Sequence, residues 1–413
     1  MLDFQYKARD KVSGRIINGT IQADNEMAAG KLLLKQEMYP VELRIKKGPV
    51  LGAGTVQGRV KAKDKVVFTR QLATLIKAGL PMAQALHSTL DQVSNKKLKE
   101  IIFRLTKSVE GGTPLSQALA EYPQNFNRIY ISMVEAGEAS GNLENTLERL
   151  AIQLEKEAEI ASKVRGALIY PAIVLVVIIL VLGFMLTSVV PQIANLYASF
   201  GKDLPLITVI MVWIANAITK YWFITFPVLG LIGYGIYLGF KTPQGHRLID
   251  RAKINMPPIN QLYMKMYMAR FARTLGSLVA SGIPILQALA LVSDSVNNEF
   301  LKQEVVVMAE QVKSGQSLSE ALQKTEYFLP LVGQMVKVGE DSGTLGDMLD
   351  RLATFYENEV DQTVKNISTL IEPILIVFLG FMVVIMIMGV LFPVYNLVGT
   401  DLGSSGGAKT TTK

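Results

Sequence analysis

The stretch Phe68-Thr-Arg-Gln-Leu-Ala-Thr-Leu-Ile-Lys-Ala-Gly-Leu-Pro-Met-Ala-Gln-Ala-Leu86 returns as Phe271-Ala-Arg-Thr-Leu-Gly-Ser-Leu-Val-Ala-Ser-Gly-Ile-Pro-Ile-Leu-Gln-Ala-Leu289, with 9 of 19 positions identical. A second block, Gly137-Glu-Ala-Ser-Gly-Asn-Leu-Glu-Asn-Thr-Leu-Glu-Arg-Leu-Ala151, returns as Gly339-Glu-Asp-Ser-Gly-Thr-Leu-Gly-Asp-Met-Leu-Asp-Arg-Leu-Ala353. The offset is 203 in the first block and 202 in the second, so a loop has lost one residue and the order of elements is kept. Self-similarity on this scale marks a duplicated structural unit. The repeat reaches the mouth of an apolar run in each half, where Tyr170-Pro171 aligns with Glu372-Pro373. Each unit is therefore a polar body plus the helix that leaves it.

Periodicity within the unit is helical. Phe68, Leu72, Leu75 and Ile76 fall at i, i+4, i+7 and i+8, as do Phe271, Leu275, Leu278 and Val279, giving one apolar stripe per helix. Leu143, Leu147, Leu150 and Leu154 form another. Gly79-Leu-Pro81 and Gly282-Ile-Pro284 read as tight connections in which Gly ends one helix and Pro opens the next. Gly111-Gly112-Thr-Pro114 is a further break. Several short helices packed as a bundle are expected in each copy.

Three long stretches lack charge. None occurs between Arg165 and Lys202, 20 uncharged positions separate Lys220 from Lys241, and 28 separate Glu372 from Asp401. A bilayer core needs about 20 helical residues, which places spans near Leu168 to Val190, Tyr221 to Phe240 and Pro373 to Tyr395. Homologous bodies that share a compartment must be separated by an even number of spans. The apolar stretch Leu206 to Thr219 is then not a fourth span but an amphipathic or interfacial helix on the far side, broken from the second span near Lys220. Lys156, Lys163 and Arg165 precede the first span, Lys241, Arg247, Arg251 and Lys253 follow the second, and Lys365 precedes the third. The loop from Pro191 to Lys220 carries only Lys202, Asp203 and Lys220. By the positive-inside rule both bodies are cytosolic, the N-terminus with them, and the C-terminus is extracytoplasmic.

The expected fold is mainly α: a duplicated cytosolic helical bundle with three transmembrane helices and a small N-terminal α/β module. The boundaries are a module at 1–46, a linker at 47–65, the first helical domain at 66–166 and the first span at 167–191. An extracytoplasmic segment follows at 192–220, then the second span at 221–240, the second helical domain at 241–372, the third span at 373–395 and a tail at 396–413. In the module, Phe4 to Ala8, Arg15 to Gln22 and Val41 to Ile45 read as strands and Asn25 to Lys35 as a short helix.

Composition excludes much chemistry. There is no cysteine, hence no disulfide, thiolate nucleophile or Cys-based metal site, and only His87 and His246 supply imidazoles. Neither has a His, Asp or Glu at metal-ligand spacing. A net charge of +7 fits the positive-inside bias rather than nucleic-acid binding. Gly52-Ala-Gly54-Thr-Val-Gln-Gly58 lacks the Lys-Ser/Thr of a phosphate loop and reads as linker. Lys96-Lys97-Leu98-Lys99 reads as a solvated helix face.

The twin motifs Gly137, Glu138, Ser140, Gly141 and Gly339, Glu340, Ser342, Gly343 pair an acid with a hydroxyl, yet no histidine accompanies either. They read as turns followed by a helix start, with Thr344-Leu-Gly-Asp347 in capping-box form and Asn142 as the cap of the first copy. The same turns are candidate partner-binding surfaces. A calcium or magnesium ion at a domain interface is the chemical alternative, without supporting ligand spacing. Span interiors hold no Asp, Glu, Lys, Arg or His, which argues against a transporter. They hold small residues instead, Gly235-Ile-Tyr-Leu-Gly239 and Gly183-Phe-Met-Leu-Thr187, suited to close helix contacts.

At these residues the chain resembles the PilC/GspF family of inner-membrane platform proteins of type IV pilus and type II secretion machines. The resemblance rests on the duplicated Gly79-x-Pro81 and Gly282-x-Pro284 segments, the duplicated Gly-Glu-x-Ser-Gly-x-Leu, and Lys163-Val-Arg-Gly-Ala-Leu-Ile-Tyr-Pro171 leading to Val189-Val-Pro191. It spans about residues 66–395, with Pro171 and Pro373 at the helix entries. The residues themselves offer no catalytic, cofactor or metal site, so a non-enzymatic protein is expected, and the resemblance implies a platform that couples a cytosolic hexameric assembly ATPase to insertion of pilins. It further implies pilins or pseudopilins, other inner-membrane assembly proteins and a second copy of the chain as partners, and no nucleic acid. A type IV pilus is the first expectation and the equivalent type II secretion platform the second. A membrane channel or transporter with regulatory cytosolic domains is the alternative of another class.

Overall fold

A computed structural model describes residues 2–10, 16–23, 30, 32–34, 38–45, 59–199, 203–257 and 259–404. In the N-terminal module, β1 (Leu2–Asp10) lies between β2 (Ile16–Ala23) and β3 (Met38–Ile45), both antiparallel to it. Phe4 pairs with Ile21 on one side and Tyr6 with Leu43 on the other. The register shifts between Lys7 and Ala8, where Pro40 falls in β3. Proline cannot donate to a ladder, and an edge strand at an irregularity is where it is tolerated. Of the helix expected at Asn25 to Lys35, residues 30 and 32–34 are described and are helical. Gly52 to Gly58 lies outside the described residues.

The first repeat comprises α1 (Ala62–Lys77), α2 (Met82–Leu90), α3 (Lys96–Glu110), α4 (Leu115–Ala120) and α5 (Arg128–Ser140). Its exit helix α6 (Leu143–Phe184) passes through one π turn (Met185–Val189) into α7 (Val190–Ser199). Next come α8 (Leu206–Thr219), α9 (Trp222–Lys241) and α10 (Pro243–Asn255). The second repeat comprises α11 (Ile259–Ala280), α12 (Ile285–Ser295), α13 (Glu299–Lys313), α14 (Leu318–Gln323) and α15 (Pro330–Asp341), with exit helix α16 (Leu345–Ser404).

Three expectations are corrected. Residues 62–65, assigned to the linker, are already helical, because Asp64 Oδ2 accepts from the Lys61 backbone N–H at 3.2 Å and ties this first turn to Asn95 Nδ2 at 2.6 Å. Residues 396–404, assigned to the tail, continue α16. Neither exit helix changes element where the bodies were expected to end. Pro171 lies inside α6 and Pro373 inside α16, since one missing i to i−4 hydrogen bond is tolerated by a long helix held by its neighbours.

The helix α8 falls short of a fourth span, as parity requires. It is predominantly apolar, with Leu206 78% and Trp213 71% exposed on the outside, and carries Thr208, Asn216 and Thr219 as its polar residues. Its inner side packs on the first and third spans, where Met211 fills the space beside Gly389. Fourteen residues reach about 21 Å, short of the about 30 Å of a hydrocarbon core. The contact has a chemical cause. Pro393 has no N–H, so the Gly389 carbonyl in α16 lacks its helical donor, and Thr208 Oγ1 donates to it at 3.1 Å. Among the described residues, three helical stretches are long and apolar enough to cross a membrane: Leu143–Ser199, Trp222–Lys241 and Leu345–Phe392. The chain is an integral membrane protein.

The stripes read from the sequence form the core. Phe68, Leu72, Leu147 and Leu150 are buried in the first repeat, and Phe271, Leu275, Leu349 and Leu352 in the second. Aromatic pairs recur too, Phe68 with Phe126 at 6.3 Å and Phe271 with Phe328 at 4.8 Å between ring centroids. One continuous apolar core joins the two repeats.

Candidate functional site

The twin motifs are helix ends of the same design. In the first copy Gly141 has φ +68°, its N–H donates to the Glu138 carbonyl at 3.2 Å, and Asn142 N–H donates to the Gly137 carbonyl at 2.9 Å. Gly343 repeats this with φ +68°, donating to Glu340 at 3.2 Å while Thr344 donates to Gly339 at 2.9 Å. This is the Schellman closure, and its left-handed residue favours glycine. Gly79 and Gly282 close α1 and α11 in the same way, at φ +84° and +83°. Pro81 and Pro284 then take the cap positions of α2 and α12.

Gly137 and Gly339 serve a different need. A Cβ on Gly137 would stand 2.9 Å from Thr146 Cβ, and one on Gly339 would stand 2.9 Å from Leu345 Cα. The motif's first glycine thus lets the exit helix fold back on the helix before it. Ser140 and Ser342 return their hydroxyls to the carbonyls of Ala136 and Val338, at 2.7 and 2.6 Å. Asn142 occupies the cap position of α6, but its side chain makes no capping bond there and accepts instead from Asn145 Nδ2 at 2.6 Å. The expected asparagine cap is therefore corrected: its φ of −109° and ψ of 42° lie away from the extended conformation a cap adopts.

The acids face inward. Glu138 accepts from the backbone N–H groups of Leu115 at 2.6 Å and Ser116 at 3.1 Å, the first turn of α4. Glu340 does the same for Leu318 at 2.7 Å and Ser319 at 3.0 Å in α14. Each carboxylate neutralises a helix N-terminus supplied by another element of its own repeat. That assignment uses the lone pairs a divalent ion would need. Among the described residues no group of three or more His, Asp or Glu side chains is placed to hold a metal.

Sequence reasoning missed a second twin device. Arg70 on α1 grips the exit helix through Glu155, at 2.6 Å from Nε and 2.5 Å from Nη2, and through Glu148 at 2.6 Å. Arg273 on α11 grips α16 through Glu357, at 2.8 and 3.0 Å, and through Asp350. Such forked pairs fix direction as well as charge. Hydrogen bonding to Arg70 holds the Glu155 carboxyl below its ordinary range.

The repeats meet along a polar seam within their shared core. Gln153 Nε2 donates to Thr274 Oγ1 at 3.3 Å across it, and Lys163 on α6 pairs with Asp361 on α16. The two exit helices are thus tied to each other as well as to their bodies. Hydrogen bonding to Asp361 and then to Glu159 raises the Lys163 ammonium. A cavity of about 60 Å³ lies on the seam between Gln153, Arg270 and Glu357. His87 and His246 are exposed. The span glycines Gly183 and Gly235 have nothing within 4 Å of a Cβ position, so their small faces are unmatched within one chain.

Comparison with known proteins fits this duplicated architecture. The family described as "Type II secretion system (T2SS), protein F" matches residues 68–191 and again 271–393, and its N-terminal domain matches residues 1–44. The chain belongs to the type II secretion system protein F family. Relatives of this family include a protein of Thermus thermophilus named type IV pilus assembly protein PilC, 37% identical over 96% of this chain and 98% of that protein. The Myxococcus xanthus protein of the same name is 34% identical over 96% and 95%. A Vibrio cholerae protein named type II secretion system protein F is 33% identical over 96% and 98%. The two family segments each begin at the first core phenylalanine and end at Pro191 or Pro393, so the family's unit is a body together with its exit helix.

Proposed function

We propose that this family member is a non-enzymatic inner-membrane platform that couples a cytosolic assembly ATPase to the insertion of pilin subunits into a type IV pilus. The observation that carries the reading is mechanical. Each body continues into its span through one unbroken helix, clamped at its base by Arg70 or Arg273. Displacement of a body therefore moves the membrane end of its helix without a hinge between them. The tied exit helices make the two bodies respond together.

In this reading both bodies and the N-terminus face the cytosol and the C-terminus lies outside, in keeping with the lysines and arginines beside the body ends of the spans. The turns at Gly137 to Gly141 and Gly339 to Gly343 offer their exposed serine sides to a partner, while their glutamates serve the fold. The unmatched span glycines offer faces to a pilin helix or a second copy. A type II secretion platform is the second reading, supported by the family description and the Vibrio relative's name. A strain lacking the gene separates them. Loss of surface pili with secretion intact is expected; loss of secretion with pili intact selects the second reading. If both persist and the purified protein passes a solute across liposomes, the platform reading fails.

A further inference from the structure

Where the second span ends, the chain folds back sharply. Gly245 in α10 lies so close to the Gly239 carbonyl that any side chain would overlap it. Thr242 Oγ1 donates to that carbonyl at 2.7 Å and accepts from Gly245 N–H at 3.1 Å. The helix α10 is thereby pinned at the mouth of the span, beside Tyr237, whose ring centroid is 4.7 Å from Lys241 Nζ.

Between α10 and the second body lies a polar cleft of about 650 Å³, and Arg247 borders both it and a neighbouring cleft that Arg251 lines. The charges around them are unequally matched. Asp250 is taken by Lys253 at 2.9 Å and by the Glu299 backbone N–H at 3.2 Å. Asp294 is taken by Lys302 at 3.0 Å and Arg128 at 3.4 Å. Lys241, Arg247 and Arg251 form no ion pair among the described residues. The one remaining acid, Glu299, bonds Gln303 at 3.3 Å. Arg247 and Arg251 are four apart on one helix face, and Leu248 beside them is 68% exposed.

We infer that these clefts bind the phosphate of an anionic phospholipid headgroup, held by Arg247, Arg251 and Lys241, with Leu248 entering the acyl boundary. Flanking positive charge alone would serve topology. What goes beyond it is convergence: three unpaired cations border the clefts while the neighbouring Lys253 and Lys302 are neutralised internally. A soluble phosphate shares the headgroup's chemistry, but it would have no use for an exposed leucine or for a tyrosine at the span's end. The inference does not depend on which machine the protein serves.

The test is native mass spectrometry of the full chain released from nanodiscs of equal phosphatidylglycerol and phosphatidylcholine. Preferential retention of phosphatidylglycerol is expected. R247Q/R251Q should lose about 25-fold of that preference, at about fivefold per cation near an anionic surface, while E299Q strengthens it and K96Q on a distant exposed face leaves it unchanged. Should the double variant fail to fold, E299Q decides alone. An unchanged preference in R247Q/R251Q, a weaker one in E299Q, or equal displacement by free glycerol phosphate overturns the assignment.

Discussion

The two repeats keep the same backbone devices and differ in how they bury charge. Schellman closures at Gly141 and Gly343, close helix approaches at Gly137 and Gly339, and carboxylate caps from Glu138 and Glu340 recur at aligned positions. The interior has drifted around them. Thr69 and Tyr130 share a buried hydrogen bond of 3.1 Å in the first copy, where the second has Ala272 and Val332. The first clamp is partly wet, with Arg70 31% exposed, whereas Arg273 and Glu357 are each 10% exposed. Geometry that sets helix direction has been held, while the polarity of what fills the space has not.

That contrast predicts unequal damage from equal mutations. Arg273→Gln leaves Glu357 buried without its partner and should cost about 3–5 kcal/mol, against about 1 kcal/mol or less for Arg70→Gln. Thermal unfolding of the detergent-solubilised variants compares them, and equal losses would break the distinction. Smaller, at about 1–3 kcal/mol of overpacking, is the effect of Gly339→Ala. It should exceed that of Gly137→Ala, because the nearest atom is backbone in the second copy and a side chain in the first. Limited proteolysis at the α15 to α16 turn would register it.

Next come the caps. In the first copy Pro114 precedes α4 and supplies no side-chain cap, so Glu138 stands alone, whereas Ser317 Oγ also accepts from Glu320 N–H at 3.2 Å in the second. Glu138→Ala should therefore cost about 2 kcal/mol and Glu340→Ala about 1, measured in the same unfolding assay.

The smallest effect is with pH. Arg70 holds Glu155, and Lys163 holds Glu159, below the ordinary carboxylate range. A depressed folded value means stability that is present above the unfolded pKa of about 4.3 and lost as pH falls through the folded one. The Tm should fall on acidification below about pH 5, and by less in the R70Q protein. A parallel fall in both would show that the first clamp contributes nothing to acid sensitivity.

Helix ends were legible in the sequence because Gly79, Gly282 and the prolines after them announce a left-handed turn and a restart. Duplication also made the architecture legible, since an exit helix aligned with each body and parity then set the number of spans. The clamps were harder. Arg70 and Arg273 sit in one aligned block and Glu148 and Asp350 in the other, yet nothing local says which acid an arginine meets some 80 positions away. The glutamate caps were hidden for the same reason, because Leu115 and Leu318 lie in a different helix from the acid that serves them. At Leu206 to Thr219 parity excluded a fourth crossing, and the helix is too short for one, but parity counts crossings and is blind to packing. The Thr208 hydroxyl finds a carbonyl freed by a proline far along the chain.

In the proposed mechanism each body and its exit helix move as one piece. The chain has no cysteine, so pairs of spin labels can be placed without background at Glu144 and Leu180 on α6, and at Asp347 and Val384 on α16. Pulsed electron resonance should give narrow distributions near 54 and 56 Å, from about 1.5 Å per residue along an unbroken helix. Broad distributions centred below about 45 Å, the signature of a hinge at Pro171 or Pro373, would contradict it.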